Sequence, residues 1–294
     1  MSSDSVPTSA SRPHVLFTGR TTVDALYWLD EMPREDTKVF ARAFRIAPGG
    51  PACNAAITHA LRDGKTTLVS AVGGGPWADF VRAEMERRGI ALVDLAASGY
   101  ETPLTTVLVN AVAATRTIVN PPMMQAEARA LEGVWDTAWG DAPAVALTDG
   151  FHLGATLPLL KALRDSGTAL CLDGGSWKPG TEVLAPLLTA AICSERFTAP
   201  GEAATLGWFA EQGVPHVAVT RGARPIVGWD LGRRFEIAIE PVEAVDTLGA
   251  GDVLHGAFCF YFAESGDFEG ALRRAAEIAT RSGQGLGIDC WVGD

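Results

Sequence analysis

A strand-like run ends at Val245 and is followed by Asp246-Thr247-Leu248, the small-residue turn Gly249-Ala250-Gly251, the carboxylate Asp252 and an apolar helical pattern that continues to Phe258. A strand–turn–helix whose turn is stripped of side chains presents unpaired backbone N–H groups at the partly positive start of the helix. Gly and Ala let a bulky anion come close to those groups. Such a nest suits the charge that develops on a transferring phosphoryl group. Asp252, in the first helical turn, stands at its mouth, where a carboxylate can take the proton of an attacking hydroxyl. Taken alone, the segment reads first as a tight turn with a helix cap.

A second Gly turn enters a helix far upstream, in Pro48-Gly49-Gly50-Pro51-Ala52-Cys53-Asn54. Asn54 falls in the first turn of a helical pattern over Ala52–Arg62, where its amide can meet ligand hydroxyls. Asp24 follows the first strand closely, where a carboxylate can accept two sugar hydroxyls. Other suggestive spacings fail. Gly64-Lys65-Thr66 imitates the end of a phosphate-binding P-loop, but His59 stands where the first glycine is required, and the segment runs from helix to strand. It reads as a turn. Gly73-Gly74-Gly75 runs into Pro76-Trp77 and lacks the dinucleotide-binding spacing. His14, His59, His152, His216 and His255 are scattered, match no metalloprotease motif or triad, and each read as structural or solvent-facing.

These residues need a scaffold, and the apolar pattern supplies one. Strands are expected at His14–Gly19, Thr66–Val72, Thr105–Val109, Ala144–Leu147, Ala169–Asp173, Ala190–Cys193 and His216–Thr220. Helical patterns at Ala52–Arg62, Trp77–Arg88, Leu157–Ser166 and Gly201–Gln212 alternate with them. That alternation predicts βαβ units and a largely parallel sheet. Several runs end in Gly or Asp, as at Asp149-Gly150 and Asp173-Gly174-Gly175, and ligands of such sheets gather at these strand ends. Asp24–Ile46 and Tyr100–Asn120 look extended and stand outside the alternation, which suggests a small appended sheet or lid. Pro225–Gly228 and Phe235–Pro241 are extended around a turn at Asp230–Gly232, and helical patterns close the chain at Asp252–Ala263 and Phe268–Arg281. No repeat or linker divides the chain. Met1 to Pro13 is expected to be a disordered leader to a single domain spanning 14–294.

The bulk composition narrows the functional classes. The 294 residues are 47% hydrophobic with a formal net charge of -11, which opposes nucleic-acid binding. No window approaches the roughly 18 apolar residues of a membrane helix. Cys53, Cys171, Cys193, Cys259 and Cys290 are far apart without a C-x-x-C spacing, so they read as free thiols of a reducing cytoplasm.

In this order and at this distance, PGGPACNAA and DTLGAGDVLHGAF resemble the two signatures of the PfkB carbohydrate kinases, the ribokinase-like family, and the resemblance runs from about His14 to Asp289. It implies an α/β three-layer sandwich around a central, mainly parallel sheet, with a small β-sheet lid from about 24–46 and 100–120. It implies ATP-dependent phosphorylation of a primary sugar hydroxyl in the cytoplasm. ATP and Mg²⁺ are the implied cofactors, K⁺ is a candidate monovalent cation, and a homodimer forms through the lid. PREDTKVFARAF, TRTIVN, LDGG and VTRGARPIVGW further resemble ketohexokinases and sulfofructose kinases, implying a fructose-like or sulfofructose-like ketose. A nucleoside, 2-keto-3-deoxygluconate or another small alcohol stays open as substrate, as does a non-catalytic sugar-binding protein.

By the same resemblance, Asp24, Gly50 and Asn54 bind the sugar, Gly249, Ala250 and Gly251 form the anion hole, and Asp252 is the base. Arg116 reaches phosphates or substrate, and Lys38 and Asn120 resemble positions that hold a sulfonate. Thr220, Gly222 and Thr247 belong to the nucleotide side together with Gly249 and Gly251, and Ser282 and Gly283 to the adenine pocket. The sequence departs from the family in three respects. The arginine expected to help Lys38 and Asn120 falls near Gly150. CSERFTAPGEAATLG lacks the N-x-x-E motif, leaving Glu195 or Glu202 at a wrong offset. The acidic pair expected after Val72-Gly73 is replaced by Gly74-Gly75-Pro76-Trp77. Metal ligands are therefore unassigned.

Overall fold

The computed structural model describes residues 12–122, 142–197 and 202–292. In chain order the strands are β1 (His14–Gly19), β2 (Thr22–Leu29), β3 (Ala43–Gly49), β4 (Lys65–Ser70), β5 (Ala91–Asp94), β6 (Leu104–Asn110), β7 (Thr115–Val119), β8 (Val145–Thr148), β9 (Ala169–Gly174), β10 (Ala190–Ser194), β11 (His216–Arg221), β12 (Arg224–Asp230) and β13 (Arg233–Ile237). The helices are α1 (Pro51–Leu61), α2 (Pro76–Arg87), α3 (Leu153–Asp165), the single turn α4 (Thr181–Leu184), α5 (Glu202–Glu211), α6 (Ala250–Ser265) and α7 (Phe268–Ser282).

The strand pleat of β1 explains the layers. Val15 and Phe17 point into one apolar cluster and Leu16 into the other, as side chains of a strand must alternate. The first cluster joins α1, α2, α6 and α7 to one face of the sheet; the second joins α3 and α5 to the opposite face. The main sheet has nine strands in the order β13-β12-β11-β10-β9-β8-β1-β4-β5. It is parallel from β11 to β5, with β12 and β13 added antiparallel. The expected three-layer α/β architecture is thus present.

A second sheet of four strands, β3-β2-β6-β7, holds the two stretches that broke the alternation. β2 pairs antiparallel with β3 and parallel with β6. The first stretch is not one extended run: residues 30–42 between β2 and β3 are irregular and mostly exposed. Two further differences have local causes. β5 was missed because it is a four-residue edge strand with no buried side chain. Helix α3 starts before the expected Leu157, a start that the internal Pro158 hides in the sequence. Most of the expected leader lies outside the described residues.

Helices α1 and α6 touch at a glycine. A Cβ on Gly256 would lie 2.3 Å from the Ala55 carbonyl oxygen and 2.7 Å from the Thr58 Cβ, so the absent side chain sets how close the two helices come. Each helix carries one of the residues singled out in the sequence, Asn54 and Asp252. Gly256→Ala is expected to destabilise the protein by about 1–3 kcal/mol by overpacking. It is also expected to lower kcat more than a surface substitution of equal stability cost. Denaturant melts with kinetics of the folded fraction test both, and normal stability would contradict the packing account.

Candidate active site

Helix α6 begins with Gly249 in the left-handed region at φ +71°, and no side chain caps its N-terminus. A Cβ at Gly249 would lie 2.5 Å from Ile288 Cγ2 and 3.7 Å from both Asn54 Nδ2 and Asp252 Oδ2. A side chain there would strain the turn and press on the two polar groups beside it. A Cβ on Gly251 would meet nothing within 4 Å. The turn thus leaves room beside Gly251, and the Ala250 N–H makes only a long 3.4 Å bond to the Thr247 carbonyl, so an anion can approach the start of the helix.

Asp252 sits in that first turn, half-buried. Asn54 donates from Nδ2 to Asp252 Oδ2 at 2.7 Å across the α1–α6 seam. Loss of water around the carboxylate and the nearby Asp173 push its pKa up to about 7, opposed by the Asn54 hydrogen bond and by His255. A carboxylate with that proton affinity is suited to exchange a proton near neutral pH.

The start of α1 is built with equal care. Gly50 has φ +93°, and its Cβ would lie 2.4 Å from the Arg20 carbonyl oxygen. No side chain of the helix itself caps this end. Instead the buried Asp149, just past β8, accepts from Ala52 N–H at 3.2 Å and Arg20 N–H at 2.9 Å through Oδ2, and from Phe151 N–H at 2.9 Å through Oδ1. Burial pushes Asp149 up to about 6 against the pull of Lys178 and these N–H groups. Asp24, on β2, is held by the Thr22 hydroxyl at 2.8 Å, and burial raises its pKa as well. Its carboxylate lies against Gly49, where a Cβ would meet Oδ2 at 2.1 Å.

Asp24 and Asn54 line one cavity together with Leu26, Arg45, Arg88 and Asp289. Among the described residues, the buried Asn54 Oδ1 and Arg88 Nε of this lining have no hydrogen-bond partner. The four-stranded sheet is fastened over it. Arg45 on β3 makes a bidentate pair with Asp289 at 2.9 and 2.7 Å. Trp28 Nε1 donates to the buried Asp246 at 3.0 Å, and Arg116 on β7 donates to Thr247 Oγ1 at 3.1 Å.

The remaining expected residues divide. Arg116 and Thr247 are joined by the bond just described. Ser282 is buried at the end of α7 with its hydroxyl on the Ala279 carbonyl, and the Gly283 carbonyl accepts from the N–H groups of Val245 and Asp246, just ahead of the turn. Thr220 is the next-to-last residue of β11, and Gly222 at φ +65° turns the chain into β12. Asn120 Oδ1 accepts from Arg20 at 3.3 Å and Thr105 at 3.1 Å. Lys38 is exposed in the irregular segment 30–42 and is not among the residues brought together here. Glu195 is paired with Arg224. The sequence reading did not single out Arg20, Arg45, Arg88 or Asp289. For Asp149 and Asp173 the signal existed, since both end strands where ligands gather.

The profile of the pfkB family carbohydrate kinases matches residues 12–158 and 189–287, which include both Gly turns, Asn54 and Asp252. The chain belongs to this family. A deoxyribokinase of Salmonella typhi is 24% identical over 292 residues, covering 92% of each chain. A crystal structure of an Agrobacterium tumefaciens protein provisionally assigned as a ribokinase superposes with a TM-score of 0.83 at 25% identity, over 94% of this chain and 93% of that one. The structure of Arabidopsis thaliana ribokinase complexed with ribose and ATP gives a TM-score of 0.73 at 20% identity, over 95% and 94%. As a pfkB kinase the protein catalyses ATP-dependent phosphorylation of a sugar, with an alcohol group as acceptor. Its named relatives include ribokinases, a deoxyribokinase and a fructokinase, which support a sugar kinase but not a ketohexokinase specifically.

The family implies ATP and Mg²⁺. The uncapped, open start of α6 fits a phosphate. Among the described residues no group of three His, Cys, Asp or Glu could cage a metal ion. The Asp246 carboxylate accepts from Trp28 Nε1, Leu248 N–H and Gly287 N–H, which fixes the turn ahead of α6. Among the described residues no helix is long and apolar enough to cross a membrane.

Proposed function

We propose that this kinase transfers the γ-phosphoryl group of ATP to the primary hydroxyl of a small sugar, with Asp252 as general base. Residues 14–294 act as one unit, with β2, β3, β6 and β7 as the lid. The observation that carries the reading is the Asp252 carboxylate. It lies at an uncapped, Gly-lined helix start, hydrogen-bonded to Asn54 and raised in proton affinity by its surroundings. The sugar lies between Asp24 and Asn54, where an orphaned amide oxygen waits for a hydroxyl donor. Asp252 takes the proton of the attacking hydroxyl. The N–H groups of Gly249, Ala250 and Gly251 face the transferring phosphoryl, and Mg²⁺ on the nucleotide offsets phosphate charge. Arg116 and Thr247 bind on the phosphate side, while Thr220, Gly222, Ser282 and Gly283 frame the nucleotide. The lid contacts of Arg45, Trp28 and Arg116 exclude water and so suppress ATP hydrolysis.

The substrate is a sugar of pentose or ketohexose size. The sequence resemblance to ketohexokinases favours a ketose, and the relatives named ribokinase and deoxyribokinase favour a pentose. A neutral sugar is preferred over a sulfonated one. Lys38 is exposed, Asn120 is already engaged, and Arg45 is neutralised by Asp289 at the cavity. Five free cysteines, four of them buried, suit the reducing cytoplasm that also supplies ATP.

The protein is a homodimer joined through the lid. Strand β7 is a sheet edge exposed throughout, and Phe40, Phe44, Ile118 and Val119 leave apolar surface on the same lid, Phe40 at 90% exposure. Unpaired strand edges and exposed apolar faces call for a partner.

Two outcomes test these readings. Asp252→Asn is expected to bind sugar with near-normal affinity and to lose about 10²- to 10⁴-fold in kcat, measured by ADP release over fructose, sulfofructose, ribose, deoxyribose and nucleosides; near-normal kcat would remove Asp252 as base. Sedimentation at micromolar concentration should show a dimer that Phe40→Asp with Phe44→Asp converts to monomer, and a wild-type monomer would contradict the lid interface.

A further inference from the structure

Asp173 and His255 take no part in the steps above, yet both are buried, at 6% and 5% exposure. Asp173 lies near the end of β9, and His255 lies one turn beyond Asp252 on α6. His255 Nδ1 is 2.7 Å from the Gly251 carbonyl oxygen, and its Nε2 is 3.1 Å from the Ile192 carbonyl oxygen on β10. The same Nδ1 is 3.4 Å from Asp173 Oδ2. All three neighbours are acceptors. A neutral imidazole has one N–H and would set the lone pair of its other nitrogen against a carbonyl oxygen; a ring carrying both N–H groups satisfies both contacts.

We propose that Asp173 and His255 form a buried ion pair that holds the anion-binding turn through Gly251 and sets the proton affinity of Asp252. The inference rests on Asp252 being the base. The carbonyl of Gly251, a residue of the nest itself, is the direct mechanical link, since His255 Nδ1 lies 2.7 Å from it. The electrical link follows from position. A cation on His255 favours the Asp252 carboxylate, and an anion on Asp173 disfavours it.

The other groups around Asp252 do not duplicate this effect. Asn54 on α1 donates to it, and Cys53 beside it is a buried thiol pushed up to about 12. Asp149, past β8, opposes its charge and is itself faced by Lys178. Asp24 on β2 shares the Cys53 neighbourhood. Strand β10 contributes the Ile192 carbonyl and the buried thiol of Cys193, which Asp173 helps to keep protonated. Cys259, further along α6, is a second buried thiol near Asp173. His255 is thus the cationic group on α6 facing this cluster.

The test is the pH profile of kcat/KM in three variants of the full chain. His255→Gln should move the acid limb to higher pH by about one unit, and Asp173→Asn should move it to lower pH by a similar amount. The double variant should return it close to wild type. A merely structural role would lower rates and stability without moving the limb in opposite directions, and unmoved limbs would overturn the proposal. Because either variant could fold poorly, the wild-type ring is read directly. In ¹⁵N-histidine NMR, assigned by the signal lost in His255→Gln, both ring nitrogens should carry protons at about pH 7, and a single neutral tautomer would overturn the ion pair. The two readings separate cleanly: turnover surviving in Asp252→Asn removes the base assignment, whereas an inactive Asp252→Asn with a neutral His255 removes only the pair.

Discussion

One hydrogen bond, from Asn54 to Asp252, ties the two halves of the cleft together. The residues are 198 positions apart and meet at 2.7 Å because α1 and α6 pack closely. That approach depends on Gly256, whose missing side chain makes room for the Ala55 carbonyl. The starts of both helices are set by glycines with positive φ, Gly50 and Gly249. Neither start is capped by its own side chain. At α1 the free N–H is taken by Asp149 from the neighbouring strand. At α6 the Ala250 N–H turns back to the Thr247 carbonyl at 3.4 Å, a long bond that an incoming anion can replace. The asymmetry has a chemical sense, since only one of the two helix ends needs to receive an anion from solution.

Around that bond the protein gathers carboxylates that repel one another. Asp149, Asp173 and Asp252 converge at the ends of β8 and β9 and the start of α6, and burial disfavours the charge on Asp149 and Asp252. Gathering them carries a stability cost. The donors that offset it are each specific: three backbone N–H groups for Asp149 and the Asn54 amide for Asp252, with the His255 ring 3.4 Å from Asp173. A carboxylate poised in this way changes its protonation near neutrality, which a solvated one would not do.

Much of the site was legible in the sequence because its chemistry is local. A Gly-Ala-Gly turn before an apolar helix, and a Gly-Gly turn before another, can be read from a few neighbouring residues. The strand alternation was legible for the same reason, since Val15, Leu16 and Phe17 carry the pleat in three consecutive positions. What escaped was long-range pairing. Arg45 with Asp289 and His255 with Ile192 and Asp173 join residues far apart in the chain, and nothing near any one of them announces its partner. His255 in particular reads as one scattered histidine among five. Lys38 is the opposite case: its sequence neighbourhood resembles a ligand position, while the segment that carries it is irregular and open to solvent.

The central claim is that Asn54 and its surroundings set the protonation of Asp252. The most direct measurement is a ¹³C NMR titration of the aspartate carboxyls in the wild type and in Asn54→Ala, with the signal assigned by its loss in Asp252→Asn. The Asn54 amide stabilises the charged form, so removing it must raise the titration point further. The expected result is a carboxyl that titrates near pH 7 in the wild type and moves upward in Asn54→Ala. An Asp252 signal that titrates in the ordinary range near about 4, or one that does not move when Asn54 is removed, would contradict the account.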